Sequence, residues 1–139
     1  MKLQLWVVGK LKDAGLERLE TQFLRRMRGA YVLEVREFRS QASLLNALRA
    51  PYVLLDERGT QVTSEELAAW IREDREHGAR VLTFAIGDAH GFSEEARRGA
   101  HRVLALSRLT LPHRLARVVC VEQLYRASTI LEGHPYHHP

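Results

Sequence analysis

Three short stretches of the chain are apolar at almost every position: Tyr52-Val53-Leu54-Leu55, Val81-Leu82-Thr83-Phe84-Ala85-Ile86 and Val103-Leu104-Ala105-Leu106. A strand with one solvated face alternates apolar and polar residues, whereas a strand covered on both faces reads as a continuous apolar run. Helical periodicity fills the segments between these runs. Strands alternating with helices, some strands buried on both faces, predict an α/β domain: a mainly parallel sheet covered by helices on both faces.

The remaining elements follow from local signals. Lys2 to Val8 alternates like a strand and ends at Gly9. Leu16, Leu19, Phe23, Leu24 and Met27 recur at the spacing of an amphipathic helix, which Gly29 closes. Tyr31 to Phe38 has one largely apolar and one mixed side, as an edge strand would. A short helix from Ser40 to Arg49 stops before Pro51, and Asp56-Glu57-Arg58-Gly59 reads as a turn. Thr63 followed by Glu66 forms a capping box opening a helix to about His77-Gly78. Ser93 caps another short helix, and a long one follows Pro112 to about Leu131. At 139 residues the chain has the length of one domain, spanning 1–139.

Composition narrows the function classes. The single cysteine, Cys120, lies in the apolar run Val118-Val119-Cys120-Val121 and reads as a packing residue in a cytoplasmic protein. No apolar stretch is long enough to span a membrane, and the N-terminus lacks a cleavage site. The net charge is +4, with arginines clumped at Arg25, Arg26 and Arg28, at Arg97, Arg98 and Arg102, and at Arg114 and Arg117. Arginine-rich clumps suit phosphates and point toward RNA. The last helix is apolar around most of its circumference, apart from a stripe of Glu122, Arg126 and Thr129. Such a helix needs cover on both sides, and a second copy of so small a chain supplies it: a homodimer is expected.

In open α/β sheets ligands bind at the carboxyl ends of the strands. The loops after Leu55, after Ile86 (Gly87-Asp88-Ala89-His90-Gly91) and after Leu106 (Ser107-Arg108-Leu109-Thr110-Leu111-Pro112-His113) fit that rule. The glycine spacing matches neither a Walker A loop nor a dinucleotide fingerprint. The loop Leu109-Thr110-Leu111-Pro112-His113, then Arg117-Val118-Val119, Glu122-Gln123, Tyr125-Arg126-Ala127 and Pro135-Tyr136-His137 together carry a family resemblance. The chain resembles, over nearly its whole length, the RlmH (YbeA-like) family of 23S ribosomal RNA methyltransferases, in the trefoil-knotted SPOUT class.

That resemblance implies a C-terminal knot, S-adenosylmethionine as cofactor, and transfer of its methyl group to N3 of a pseudouridine in large-subunit ribosomal RNA on the assembled ribosome. Carried over by position, it assigns the cofactor to Leu55, Gly87, Leu106, Ser107, Arg108, Leu109, Thr110 and Leu111, mostly through their backbone. N3 of a uracil-type base must lose its proton to become a good nucleophile, which makes His137 the candidate for accepting or relaying that proton and Tyr136 the candidate for stacking on or hydrogen-bonding the base. His113 and Arg117 are candidates for RNA contact or for a place in the knot or the dimer, and His138 is a candidate RNA contact. Two positions depart from the family pattern. His90 stands where an acidic residue is usual, and His138 where a basic residue often follows Tyr-His. The tail after Leu131 has one large apolar residue, Tyr136, and is expected to add little to the core. Its histidines lack the partners a zinc site needs, so no metal is expected. A knotted tRNA methyltransferase and a non-catalytic RNA-binding module are the rival readings.

Overall fold

The computed structural model describes residues 1–139, in which five strands and five helices alternate. They are β1 (Lys2–Val8), α1 (Ala14–Arg26), β2 (Val32–Phe38), α2 (Gln41–Ala47), β3 (Tyr52–Gln61), α3 (Ser64–Glu76), β4 (Val81–Ile86), α4 (Glu94–Gly99), β5 (Arg102–Ala105) and α5 (His113–Glu132). The sheet order is β2-β1-β4-β3-β5, and every pair is parallel. β2 lies at an edge, as its mixed face predicts.

Alternation along the central strands divides the core in two. Leu3, Leu5, Val7, Val53, Leu55, Leu82, Phe84 and Ile86 face α3 and α5, meeting Leu67, Ile71, Val121 and Leu124. Trp6, Leu54 and Ala85 face the other way, onto Leu44 of α2 and Phe92 before α4. Burying each such large side chain contributes roughly 1.5–3 kcal/mol. The predicted caps are present, Thr63 accepting from the Glu66 N–H and Ser93 from Ala96, and Ser40 adds another by accepting from the Ser43 N–H.

Three expectations change. First, Asp56-Glu57-Arg58-Gly59 is not a terminal turn but a bulge inside β3. Leu55 and Thr60 both stand opposite Leu104 of β5, and the residues between them loop out. Gly59 is required there because a Cβ would come within 2.7–2.8 Å of the Leu104 and Val103 backbone. Second, α1 presents Glu20 rather than Leu19 to the interior: Glu20 is 6% exposed and Leu19 is 40%. Third, much of α5 is covered within one chain, by α1, α3 and the sheet. Val118, Cys120, Val121, Leu124, Tyr125 and Ala127 are all buried, while Leu115 is exposed and Val119 half-buried. The apolar surface left for a partner is therefore smaller than the helical wheel implies. No helix is long and apolar enough to cross a membrane.

Candidate active site

Because all five strands run parallel, the carboxyl ends of β3, β4 and β5 open onto the same edge of the sheet. A cleft lies there, walled by Leu55, Ile86, Leu106, Leu109, Leu111 and Ala116, with Asp56, Glu57, Ser107 and Thr110 among the apolar residues. A second hollow shares Leu55, Asp56, Glu57 and Thr110 and continues along Gly87-Asp88-Ala89-His90-Gly91 to His113. Of the residues assigned to the cofactor, Leu55, Gly87, Leu106, Ser107, Leu109, Thr110 and Leu111 come together here; Arg108 lines neither hollow.

The loops around the cleft are held by side chains. Gln41, at the start of α2, clamps the loop after β4: its Oε1 accepts from the Asp88 N–H at 2.7 Å and its Nε2 donates to the Gly91 carbonyl at 2.8 Å. Gly87 is small for the sake of this clamp, since a Cβ would lie 2.6 Å from Gln41 Oε1 and 3.2 Å from the Phe92 ring. The glycine thus serves packing beneath the loop while also lining the second hollow. Asp56 ties the β3 bulge to the same region. Its carboxylate accepts from the Arg58 N–H and Nε and lies 3.8 Å from Arg97, while Arg58 and Arg97 both donate to the Phe92 carbonyl. Burial pushes the Asp56 carboxyl up, but the hydrogen bonds and charges of Arg58, with Arg97, outweigh it and hold the group below the ordinary carboxylate range.

The donor set fits S-adenosylmethionine. An apolar wall suits an adenine ring, and Glu57 at the exposed rim suits ribose hydroxyls or the cationic end. His113 lies at the far end and donates from Nε2 to the Val8 carbonyl at 3.2 Å.

Tyr136 and His137 stand elsewhere. The tail folds back along α5 and is not a loose end. The Tyr136 ring packs edge-on against Tyr125, with centroids 4.7 Å apart, beneath the Arg126 guanidinium. Its hydroxyl donates to Glu122 at 2.8 Å. His137 Nδ1 accepts from Arg126 at 3.0 Å, so Nε2 carries the proton that points at Glu65. No tail residue lines the cleft, and Arg126 lies about 15 Å further along α5 than Ala116. His138 is exposed. Arg117, expected to touch RNA, is 7% exposed and committed to Glu20 and Glu37. Its guanidinium is spent inside the fold, so that role is withdrawn.

The sequence model of a family described as "Predicted SPOUT methyltransferase" matches residues 1–137, which puts the fold and its cleft in a class of methyltransferases. Curated relatives called "Ribosomal RNA large subunit methyltransferase H" include those of Koribacter versatilis, 43% identical, and Geobacter metallireducens, also 43% identical. The alignments cover 99% of this chain, with 98% and 99% of the respective relatives. The chain belongs to the SPOUT methyltransferase family, in the branch of ribosomal RNA large subunit methyltransferase H. Among solved structures, a probable methylase family protein from Haemophilus influenzae has a TM-score of 0.58 at 10% identity, over 99% of this chain and 70% of its own. TrmJ from Z. mobilis has 0.51 at 13% identity, over 100% and 72%. At such identities these two likenesses speak for the fold alone.

Proposed function

We propose that the protein transfers a methyl group from S-adenosylmethionine to N3 of a pseudouridine in large-subunit ribosomal RNA, on the assembled ribosome in the cytoplasm. The observation that carries this reading is the cleft itself: the loops after β3, β4 and β5, to which the resemblance assigns the cofactor, line two adjoining hollows that share Leu55, Asp56, Glu57 and Thr110. The cofactor supplies an activated methyl group, so the chain's work is to place the RNA nitrogen, exclude water and remove the N3 proton.

Leu55, Leu106 and Leu111 form the apolar wall, the exposed Leu109 stands at its rim, and the Gln41 clamp fixes the loop beside it. Tyr136 orients the base and His137 handles the N3 proton. Within one chain both His137 nitrogens are engaged, by Arg126 and Glu65, and the tail sits away from the cleft. The tail therefore acts after leaving this dock, or on the cleft of a second copy; a homodimer serves the latter arrangement. His113 and His138 are the RNA contacts that remain. A C-terminal knot completes the fold expected of this family.

Two measurements test the reading. Calorimetric titration with S-adenosylmethionine gives one site per cleft if the cofactor assignment holds, and no heat from a purely RNA-binding module. Incubation with methyl-labelled cofactor and either ribosomes, free ribosomal RNA or tRNA gives label in the ribosome sample. Label in tRNA alone contradicts the substrate.

A further inference from the structure

At the far end of α5 from the cleft, Arg25, Arg26 and Arg28 surround an open hollow with Tyr125, His134 and Tyr136. The arginines come from the last turn of α1 and the segment just after it, the tyrosines from α5 and the tail. All three arginines are exposed and none takes part in an ion pair. Arg58 and Arg97 are paired with Asp56, Arg117 with Glu20 and Glu37, and Arg126 with Glu122; no carboxylate plays that part for the arginines gathered here. Glu132, the acidic group at that end of α5, is tied to the Ala30 N–H and Ser128 Oγ and does not line the hollow.

A favourable interaction with the C-terminal dipole of α1 accounts for Arg25 and Arg26. It does not account for Arg28, which lies beyond the helix, nor for two aromatic rings in the same hollow. Three uncompensated guanidiniums around a concavity form a site for a polyanion. Tyr125 is buried, and the Tyr136 ring is covered by Tyr125 and Arg126, so the tyrosines shape the hollow rather than offer stacking faces. A concave site ringed by guanidiniums suits the curved phosphate chain of a folded nucleic acid better than the flat anionic surface of a membrane. Tyr136 belongs both to this hollow and to the group we assign to the target base. We propose that the hollow binds the sugar–phosphate backbone of the ribosomal RNA flanking the modified nucleotide, with Arg25, Arg26 and Arg28 on phosphates. This rests on the ribosomal RNA reading above and adds a second RNA contact outside the cofactor cleft.

The test uses the full-length protein, intact ribosomes as probe, and the variant Arg25→Ala/Arg28→Ala. Both side chains are exposed, and the only bond lost is the surface contact from Arg28 Nε to the Arg25 carbonyl. Ribosome affinity falls roughly tenfold, and the slope of log affinity against log salt becomes shallower by about 1.5–2, while S-adenosylmethionine affinity is unchanged. The charge-preserving Arg25→Lys/Arg28→Lys variant recovers much of the binding and the salt slope. Parental affinity and salt slope in the alanine variant overturn the proposal even if the parent methylates ribosomes normally. So does a defect confined to vesicles containing phosphatidylglycerol. If the parent itself neither binds nor methylates ribosomes, the ribosomal RNA reading fails and this one fails with it.

Discussion

Arg117 of α5 grips Glu20 of α1 with two parallel hydrogen bonds, Nε and Nη2 donating to the two carboxylate oxygens at 2.8 and 2.9 Å. Its third nitrogen reaches Glu37 of β2 at 2.7 Å. Both members of the main pair are almost fully buried. Removing one partner of such a pair strands a charge in the interior. Arg117→Ala should therefore destabilise the fold by about 3–5 kcal/mol, whereas Arg117→Met combined with Glu20→Leu should recover most of that loss. Denaturant melts read both. If Arg117→Ala melts like the parent but loses ribosome binding, the residue faces RNA after all.

Gln41 and Gly87 should be energetically coupled, because a Cβ at 87 meets the Gln41 carbonyl oxygen. Gly87→Ala alone should displace the loop and weaken cofactor binding by roughly tenfold or more, the cost of a lost or strained hydrogen bond. In a Gln41→Ala background the same glycine substitution should cost less, as the closest clash has gone. Calorimetry on the four proteins of that cycle decides; strictly additive losses exclude the clamp. Gly87→Val is a poor probe of the pocket, since its bulk strikes Gln41 and Phe92 whether or not a ligand is bound.

Asp56 predicts a pH dependence. Its folded-state carboxyl lies below the ordinary value, so its ionised form stabilises the fold at pH above the unfolded value near ~3.9, and that stability is lost as pH falls below it. Asp56→Asn should cost about 1–3 kcal/mol at neutral pH, with the gap to the parent closing as the solution is acidified through about pH 4 and below. A gap that stays constant with pH contradicts the ionic role.

Cys120 should be inert. Burial pushes its thiol up to about 12, and it is 1% exposed. Iodoacetamide at neutral pH should label the unfolded chain and leave the native one unmodified.

How much of this was legible in the sequence depends on the range of the interactions. The doubly covered strands, the caps at Thr63 and Ser93 and the edge position of β2 follow from short patterns, and the structure has them. The bulge of β3 was invisible because it is a register shift against β5, a strand some forty residues away. The exchange of Leu19 for Glu20 on the inner face of α1 depends on Arg117, which lies 97 residues from Glu20. Gln41 was missed for the same reason: nothing near it in sequence signals a loop 47 residues on. The spacing of Gly87 and Arg58 around Asp88 and Asp56 could have hinted at loops needing support, but not at their partner.

Deleting Pro135–Pro139 should lower stability by about 1–2 kcal/mol, since Tyr136 packs on Tyr125 and bonds to Glu122. Cofactor affinity should hold, because no tail residue lines the cleft. Methyl transfer to ribosomes should fall by roughly a hundredfold or more if His137 handles the proton, and His137→Ala should reproduce much of that loss, with partial rescue at raised pH.

The most direct measurement is the position of the transferred methyl group. Ribosomes that lack the modification are incubated with the protein and labelled S-adenosylmethionine; the large-subunit RNA is digested to nucleosides and analysed by fragmentation mass spectrometry. The account predicts label in a single nucleoside, a pseudouridine carrying the methyl on N3. Label on a ribose, on another base or on N1 of the pseudouridine would contradict it, as would a parent protein that binds the cofactor and leaves the ribosomal RNA unlabelled.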